Sequence, residues 1–185
     1  MVYGQVPVIS YSSPQSYVAG TPVTPLTPIN TGGAVPAAIP GNVTTLAGNV
    51  TNGYANGTGV LAQFAWPGGV AADAAGNVYV ADTYNNRIRK IDKDANVSTL
   101  AGSGVSGSAD GNGASAKFKY PGGVVVDAAG NVYVADVSNY RVRKISPAGD
   151  VTSLAGSTLG FADGNGSSAQ FTYPAAIVKT RLSYR

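Results

Sequence analysis

Residues 67 to 92 and residues 121 to 146 carry one passage written twice: PGGVAADAAGNVYVADTYNNRIRKID and PGGVVVDAAGNVYVADVSNYRVRKIS. Every landmark moves by 54 positions, Pro67 to Pro121, Asp82 to Asp136, Arg87 to Arg141 and Lys90 to Lys144, and 43 to 96 matches 97 to 150 at 30 of 54 positions. A third copy opens at VTSLAGS (151 to 157) and reaches Pro174 one residue early. A fixed period of this length restricts the chain to a solenoid or a propeller, in which each unit buries its faces against its neighbours.

The unit holds no helical periodicity. It holds four short runs rich in Val, Ile and Tyr, which in the second copy are GGVVVD, NVYVAD, YRVRKI and VTSLAG, each of strand length. Between the first two, Asp127-Ala128-Ala129-Gly130-Asn131 predicts a tight hairpin: the Asp bonds its own turn and the Gly takes a positive φ. Four antiparallel strands joined by hairpins at this period make a propeller blade. The expected fold is all-β, with about two full blades, two partial ones and a Pro-rich N-terminal extension. Rings need about four to eight blades, so the reading is a fragment of a larger propeller or copies that associate through open blade faces.

GNVYVADTYNNRIRKI resembles the NHL repeat, with its V-A-D strand end, short turn and N-H-R-I-like strand. Asn86 stands where that family often carries His, and the second copy departs further with Ser138-Asn139-Tyr140-Arg141-Val142. The resemblance covers roughly 43 to 178. It implies an NHL-type β-propeller, a fold that mostly serves as a binding platform.

The division expected is a linker or Ig-like remnant at 1–40, repeats at 41–178 (43–96, 97–150 and a partial 151–178) and an atypical tail at 179–185. Seven of the eleven prolines fall in the first 40 residues, a density that favours extended or polyproline backbone over a sheet interior. VTTLAG (43 to 48) matches the outermost strand of a blade whose other strands are missing, and is read as a closure strand. The tail KTRLSYR stands where the repeat calls for another D-A-A-G-N-V-Y-V-A-D and is read as foreign to it.

Charge argues against nucleic acid. Residues 41 to 178 hold nine Lys or Arg against nine Asp, and the surplus behind the net +3 lies in Lys179, Arg181 and Arg185. The first 72 residues carry no charged side chain. Together with the Thr, Ser, Gly and Pro content, this resembles bacterial surface and secreted proteins, so a secreted or cell-surface location is expected although the start lacks the form of a signal peptide. No apolar run is long enough to span a membrane.

Asp82 and Asp136 close the second strand of each copy. They read either as a ring of carboxylates for a cation or polar ligand, or as local caps and partners of a neighbouring Arg; the second is favoured because loop Asp finds backbone donors readily. Arg87, Arg89 and Lys90, repeated as Arg141, Arg143 and Lys144, read as basic rows for phosphate or an acidic partner or, preferably, as stems covering blade faces near the outer rim and pairing with Asp. The connection ADGNG suggests calcium but lacks the acids and terminal Glu of an EF-hand loop, and reads as turn chemistry before the anchors Phe64, Phe118 and Phe171. Trp66, Tyr120 and Tyr173, each preceding a Pro, line a ligand-facing rim or pack beneath the loop. The candidate rim is therefore Trp66, Tyr120, Tyr173, Asp82, Asp136, Arg87 and Arg141.

With no His, Cys or Glu, the chain has no Ser-His or Cys-His nucleophile system and no familiar zinc set. No cofactor or metal is expected. The functional expectation is a non-enzymatic repeat scaffold binding a protein or glycan; the alternatives are an RNA-binding NHL platform, which the resemblance permits, and a metal-dependent lyase or hydrolase, whose NHL-like members use His ligands absent here.

Overall fold

The structure is a computed structural model and describes residues 9–10, 29–30 and 43–178. The chain separates into two compact units, Met1–Thr44 and Thr45–Arg185. In the first, β1 (Ile9–Ser10) pairs antiparallel with β2 (Ile29–Asn30). The rest of the expected linker and the whole 179–185 tail lie outside the described residues.

The second unit contains two antiparallel sheets of one design. After β3 (Gly57–Thr58) come β4 (Pro67–Ala72), β5 (Val78–Asp82), β6 (Arg87–Ile91) and β7 (Asn96–Ala101), in the sheet order β3-β7-β6-β5-β4. The next copy repeats it with β8 (Gly111–Asn112), β9 (Pro121–Val126), β10 (Val132–Asp136), β11 (Arg141–Ile145) and β12 (Asp150–Ala155), in the order β8-β12-β11-β10-β9. This is the blade expected from the repeat, with one addition. Part of the connection expected as turn alone lies along the outer edge as β3 or β8, so each sheet has five strands. The described residues do not close a ring.

The hairpin between β9 and β10 forms as its residues dictate. Oδ1 of Asp127 accepts from the amides of Ala129 and Asn131 at 2.9 and 2.8 Å, and Gly130 turns the chain at φ +81°. Asp73 does the same in the first blade.

Alternation along the strands gives each blade two apolar faces. Tyr79, Ala81, Ile88 and Ala101 of the first blade form one core with Phe118, Val124, Val132, Val134, Ile145 and Val151 of the second. The inner strands come closest. A Cβ at Gly69 would meet the Gly122 carbonyl oxygen at 2.6 Å and the Gly123 Cα at 3.0 Å, so β4 and β9 touch backbone to backbone. Gly123 repeats the approach against Ala175 to Ile177, which places 175–177 where the inner strand of a third blade belongs.

The outward face of the first blade has no such neighbour among the described residues. Val70 is 70 % exposed, whereas its repeat partner Val124 is 6 % exposed. Leu46, Ala47, Phe64, Val70, Val78 and Val80 line an apolar hollow of about 330 Å3 on that face. Residues 43 to 48, expected as a strand, are assigned none. Among the described residues no strand pairs with them. No helix among the described residues is long and apolar enough to cross a membrane.

Candidate functional site

The second and third strands of each blade meet at a buried ion pair. Oδ2 of Asp82 lies 2.9 Å from Nη1 of Arg89, and Oδ2 of Asp136 lies 2.8 Å from Nη1 of Arg143; all four side chains are 0 % exposed. The two Asp are partners of a neighbouring Arg, the alternative favoured over a ring of ligand-binding carboxylates, and so leave the candidate rim; Arg89 and Arg143 pair with Asp but lie in the core instead of covering blade faces near an outer rim. A buried guanidinium needs several acceptors, and each finds them in the connection preceding its blade. Arg89 donates to Asp82, to the Gln63 and Ala55 carbonyls and to Asn56 Oδ1. Arg143 repeats this with Lys117, Ala109 and Asp110, while each ring anchor, Phe64 or Phe118, lies under the guanidinium carbon at 5.2 or 5.1 Å. Nε of each is left without an acceptor among the described residues. Burial pushes the Asp136 carboxyl upward, opposed by the bonds from Asn139, the Lys119 amide and Arg143.

The pair's second oxygen reaches the surface chain. Oδ1 of Asp82 accepts from the Ala65 amide and Oδ1 of Asp136 from the Lys119 amide, both at 2.8 Å. The residue that follows each is aromatic and left-handed: Trp66 and Tyr120 both have φ 50°, as does Tyr173 in the third copy. For a bulky non-glycine residue that conformation is strained and survives only where its surroundings hold it.

These rings stand outward. Trp66, Tyr120 and Tyr173 are 65, 44 and 55 % exposed. Tyr84, also exposed and lying in the turn after β5, joins the first two, with ring centroids 5.6 Å from Trp66 and 5.5 Å from Tyr120. Tyr140, in the corresponding turn of the second blade, meets Tyr173 edge to face at 5.3 Å. The hydrogen bond to Tyr173 pushes the Tyr140 hydroxyl above its ordinary pKa of 10.0, with burial adding to it. Bonds beneath the rings fix the ledge: Tyr84 N–H to the Ala65 carbonyl, Thr83 Oγ1 to the Pro121 carbonyl and the Tyr120 amide to Asn86 Oδ1.

Tyr84 and Tyr140 escaped the sequence reading because they do not align. Position 84 repeats as Ser138, and position 140 corresponds to Asn86. The available signal was an aromatic in the turn after each V-A-D strand end. Of the candidate cations, Arg87 is occupied, its guanidinium 4.3 Å from the Tyr54 ring centre and donating to the Ser103 carbonyl. Arg141 lines a hollow of about 270 Å3 of mixed polar and apolar lining with Ser138, Asn139, Tyr140, Ser157, Thr158 and Leu159. Among the described residues no three His, Cys, Asp or Glu side chains cluster as a metal set.

Residues 49–155 match the family described as SMP-30/Gluconolactonase/LRE-like region. Among curated proteins, NHL repeat-containing protein 2 of Bos taurus is 37% identical over 95 residues, which is 49% of this chain and 13% of that protein. The chain spans about a tenth of the length of the curated relatives it matches. A structural genomics protein of unknown function from Bacteroides thetaiotaomicron is 31% identical with a TM-score of 0.51, covering 55% of this chain and 26% of that one. An auxiliary nutrient binding protein from Bacteroides ovatus shares the fold at 24% identity and a TM-score of 0.53, over 59% of this chain and 31% of its own.

Proposed function

Because the chain belongs to the SMP-30/gluconolactonase/LRE-like family and its NHL-type propellers, we propose that it is a non-enzymatic binding scaffold of a secreted or cell-surface protein, whose ligand, a protein or a glycan, is held on the aromatic rim. The observation that carries this reading is the repeated exposure of Trp66, Tyr120 and Tyr173 in strained left-handed backbone. A packing role would put such rings inside, as it does Phe118 at 0 % exposure. Strain kept at an exposed aromatic points to a surface shaped for recognition.

The chemistry of the rim supports binding over catalysis. The two carboxylates nearest the rim are buried against Arg89 and Arg143, and so cannot serve as acid and base to a bound substrate. The family name includes gluconolactonase, so the competing activity is concrete. The test measures gluconolactone hydrolysis together with ligand capture on immobilised protein, for wild type and for the variant with Trp66, Tyr84 and Tyr120 changed to Ala. The expected result is no hydrolysis above buffer, and capture of a glycan or an extracellular protein that the triple variant loses. Enzymatic turnover, or capture unchanged in that variant, overturns the reading.

A further inference from the structure

Resting on that reading, we propose that the ligand of the rim is a neutral glycan chain whose sugar rings stack on Trp66, Tyr84 and Tyr120 and again on Tyr140 and Tyr173.

The geometry of the rings comes first. Trp66 and Tyr84 are tilted by 38°, and the pairs Tyr84–Tyr120 and Tyr140–Tyr173 meet edge to face at 72°, so no two rings stack in parallel and in each T-shaped pair the contact takes one face of one ring only. Open aromatic faces on a rigid support are what the C–H face of a pyranose needs. The ledge is rigid because the amides beneath it are held by Asp82, Asp136 and Asn86, which keeps the ordering cost of binding low.

Charge then narrows the class. Arg87 is taken by Tyr54 and the Ser103 carbonyl, and Asp82 and Asp136 are sealed below. A nucleic-acid strand could stack its bases on the same rings, but it needs a track of cations for its phosphates. The repeats instead balance nine Lys or Arg with nine Asp. What borders the second ring cluster is the hollow lined by Ser138, Asn139, Arg141, Ser157 and Thr158, where Arg141, 3.4 Å from Ser153 Oγ, is one cation and not a track of them. Hydroxyls and an amide beside aromatic faces match a molecule that is apolar on its ring face and hydroxylated around its edge.

Length follows from the repeat. Ring clusters on successive blades offer successive sites to one chain, so a hexasaccharide should bind more tightly than its disaccharide, the second contact being intramolecular.

Trp66 is the chain's sole tryptophan and reports on the ledge directly. Its fluorescence is followed while cellohexaose, laminarihexaose, chitohexaose and xylohexaose, and their disaccharides, are added to millimolar concentration. The expected result is a saturable shift with at least one hexasaccharide, a dissociation constant at least about tenfold lower than for the disaccharide, and at least about tenfold weakening in Tyr84→Ala and Tyr120→Ala. Tyr120→Phe, which keeps the ring, should bind as wild type, as should Lys93→Ala, whose side chain pairs with Asp94 in the exposed hairpin between β6 and β7. Circular dichroism confirms that the variants fold. If no hexasaccharide shifts Trp66, the glycan assignment fails. Should a peptide or protein then bind with the same dependence on Tyr84 and Tyr120, the scaffold reading stands with a different ligand; if nothing bound depends on these rings, both fall.

Discussion

Asp82 lies 2.9 Å from Arg89 with neither side chain reaching water, and its other carboxylate oxygen holds the Ala65 amide at 2.8 Å, next to Trp66. One buried pair thus ties the third strand, the second strand and the rim together. Asp136, Arg143, Lys119 and Tyr120 repeat the tie. Asp82→Ala leaves Arg89 charged and buried with one partner gone, a change that costs about 3–5 kcal/mol. Urea unfolding followed by circular dichroism should show that loss, with Trp66 fluorescence altered in the native state. A loss under about 1 kcal/mol would mean that Arg89 is served by its carbonyl acceptors and Asn56 alone.

Gly123 tests whether the inner strands need glycine. A Cβ there would sit 2.9 Å from the Ala175 oxygen, the Ala176 Cα and the Ile177 nitrogen, all of them backbone. Backbone cannot swing aside as a side-chain tip can, so Gly123→Ala should destabilise by about 1–3 kcal/mol. Gly130→Ala, at φ +81° with the Pro147 ring 3.6 Å from the added Cβ, should cost only the left-handed strain, about 1 kcal/mol. Equal losses at the two positions would show that the third inner strand yields.

Acid should weaken the hairpins. The Asn131 side chain, then the amides and Tyr133, hold the Asp127 carboxyl down at about 2 against an ordinary 3.8, and Asp73 and Asp92 are lowered by their Asn77 and Asn96 bonds. A folded-state pKa below the unfolded one gives stability that is complete above about 3.8 and lost as pH falls toward 2. Thermal melts between pH 5 and 2 should therefore drop progressively, and Asp127→Asn should flatten part of that slope. An unchanged slope in that variant would remove Asp127 from the account.

Val70 offers a reading of the open face. Exposed at 70 % where Val124 is 6 % exposed, it sits in an apolar hollow that water covers poorly. Light scattering should show mass rising above the 18.5 kDa monomer with concentration, and Val70→Lys should bring it back. A constant monomeric mass for the wild type counts against association through this face.

Local chemistry was legible in the sequence and distant partners were not. Asp127 and Gly130 close their turn through atoms within four residues, so reading DAAGN sufficed. Arg89 could not be placed this way. Its acceptors Gln63, Ala55 and Asn56 lie 26, 34 and 33 positions earlier, in a stretch read as turn, and only the fold folds that stretch over the guanidinium. The same limit hid the ledge. Trp66, Tyr120 and Tyr173 shared a repeat position and drew notice, whereas Tyr84 and Tyr140 touch them from unaligned positions.

Tyr120 separates recognition from architecture. Its backbone is strained at φ 50°, which costs about 1–3 kcal/mol, and its ring touches Tyr84 at 5.5 Å, worth about 0.5–1.5 kcal/mol. Asn tolerates the left-handed region better than a bulky ring does, so Tyr120→Asn recovers part of the strain while giving up the ring contact. The two effects oppose, and stability should stay within about 1 kcal/mol of wild type in urea. Ligand capture by the rim should nevertheless fall. A residue whose replacement leaves the fold intact and removes binding is kept for its ligand; a loss above about 2 kcal/mol with binding preserved would instead make Tyr120 a packing residue.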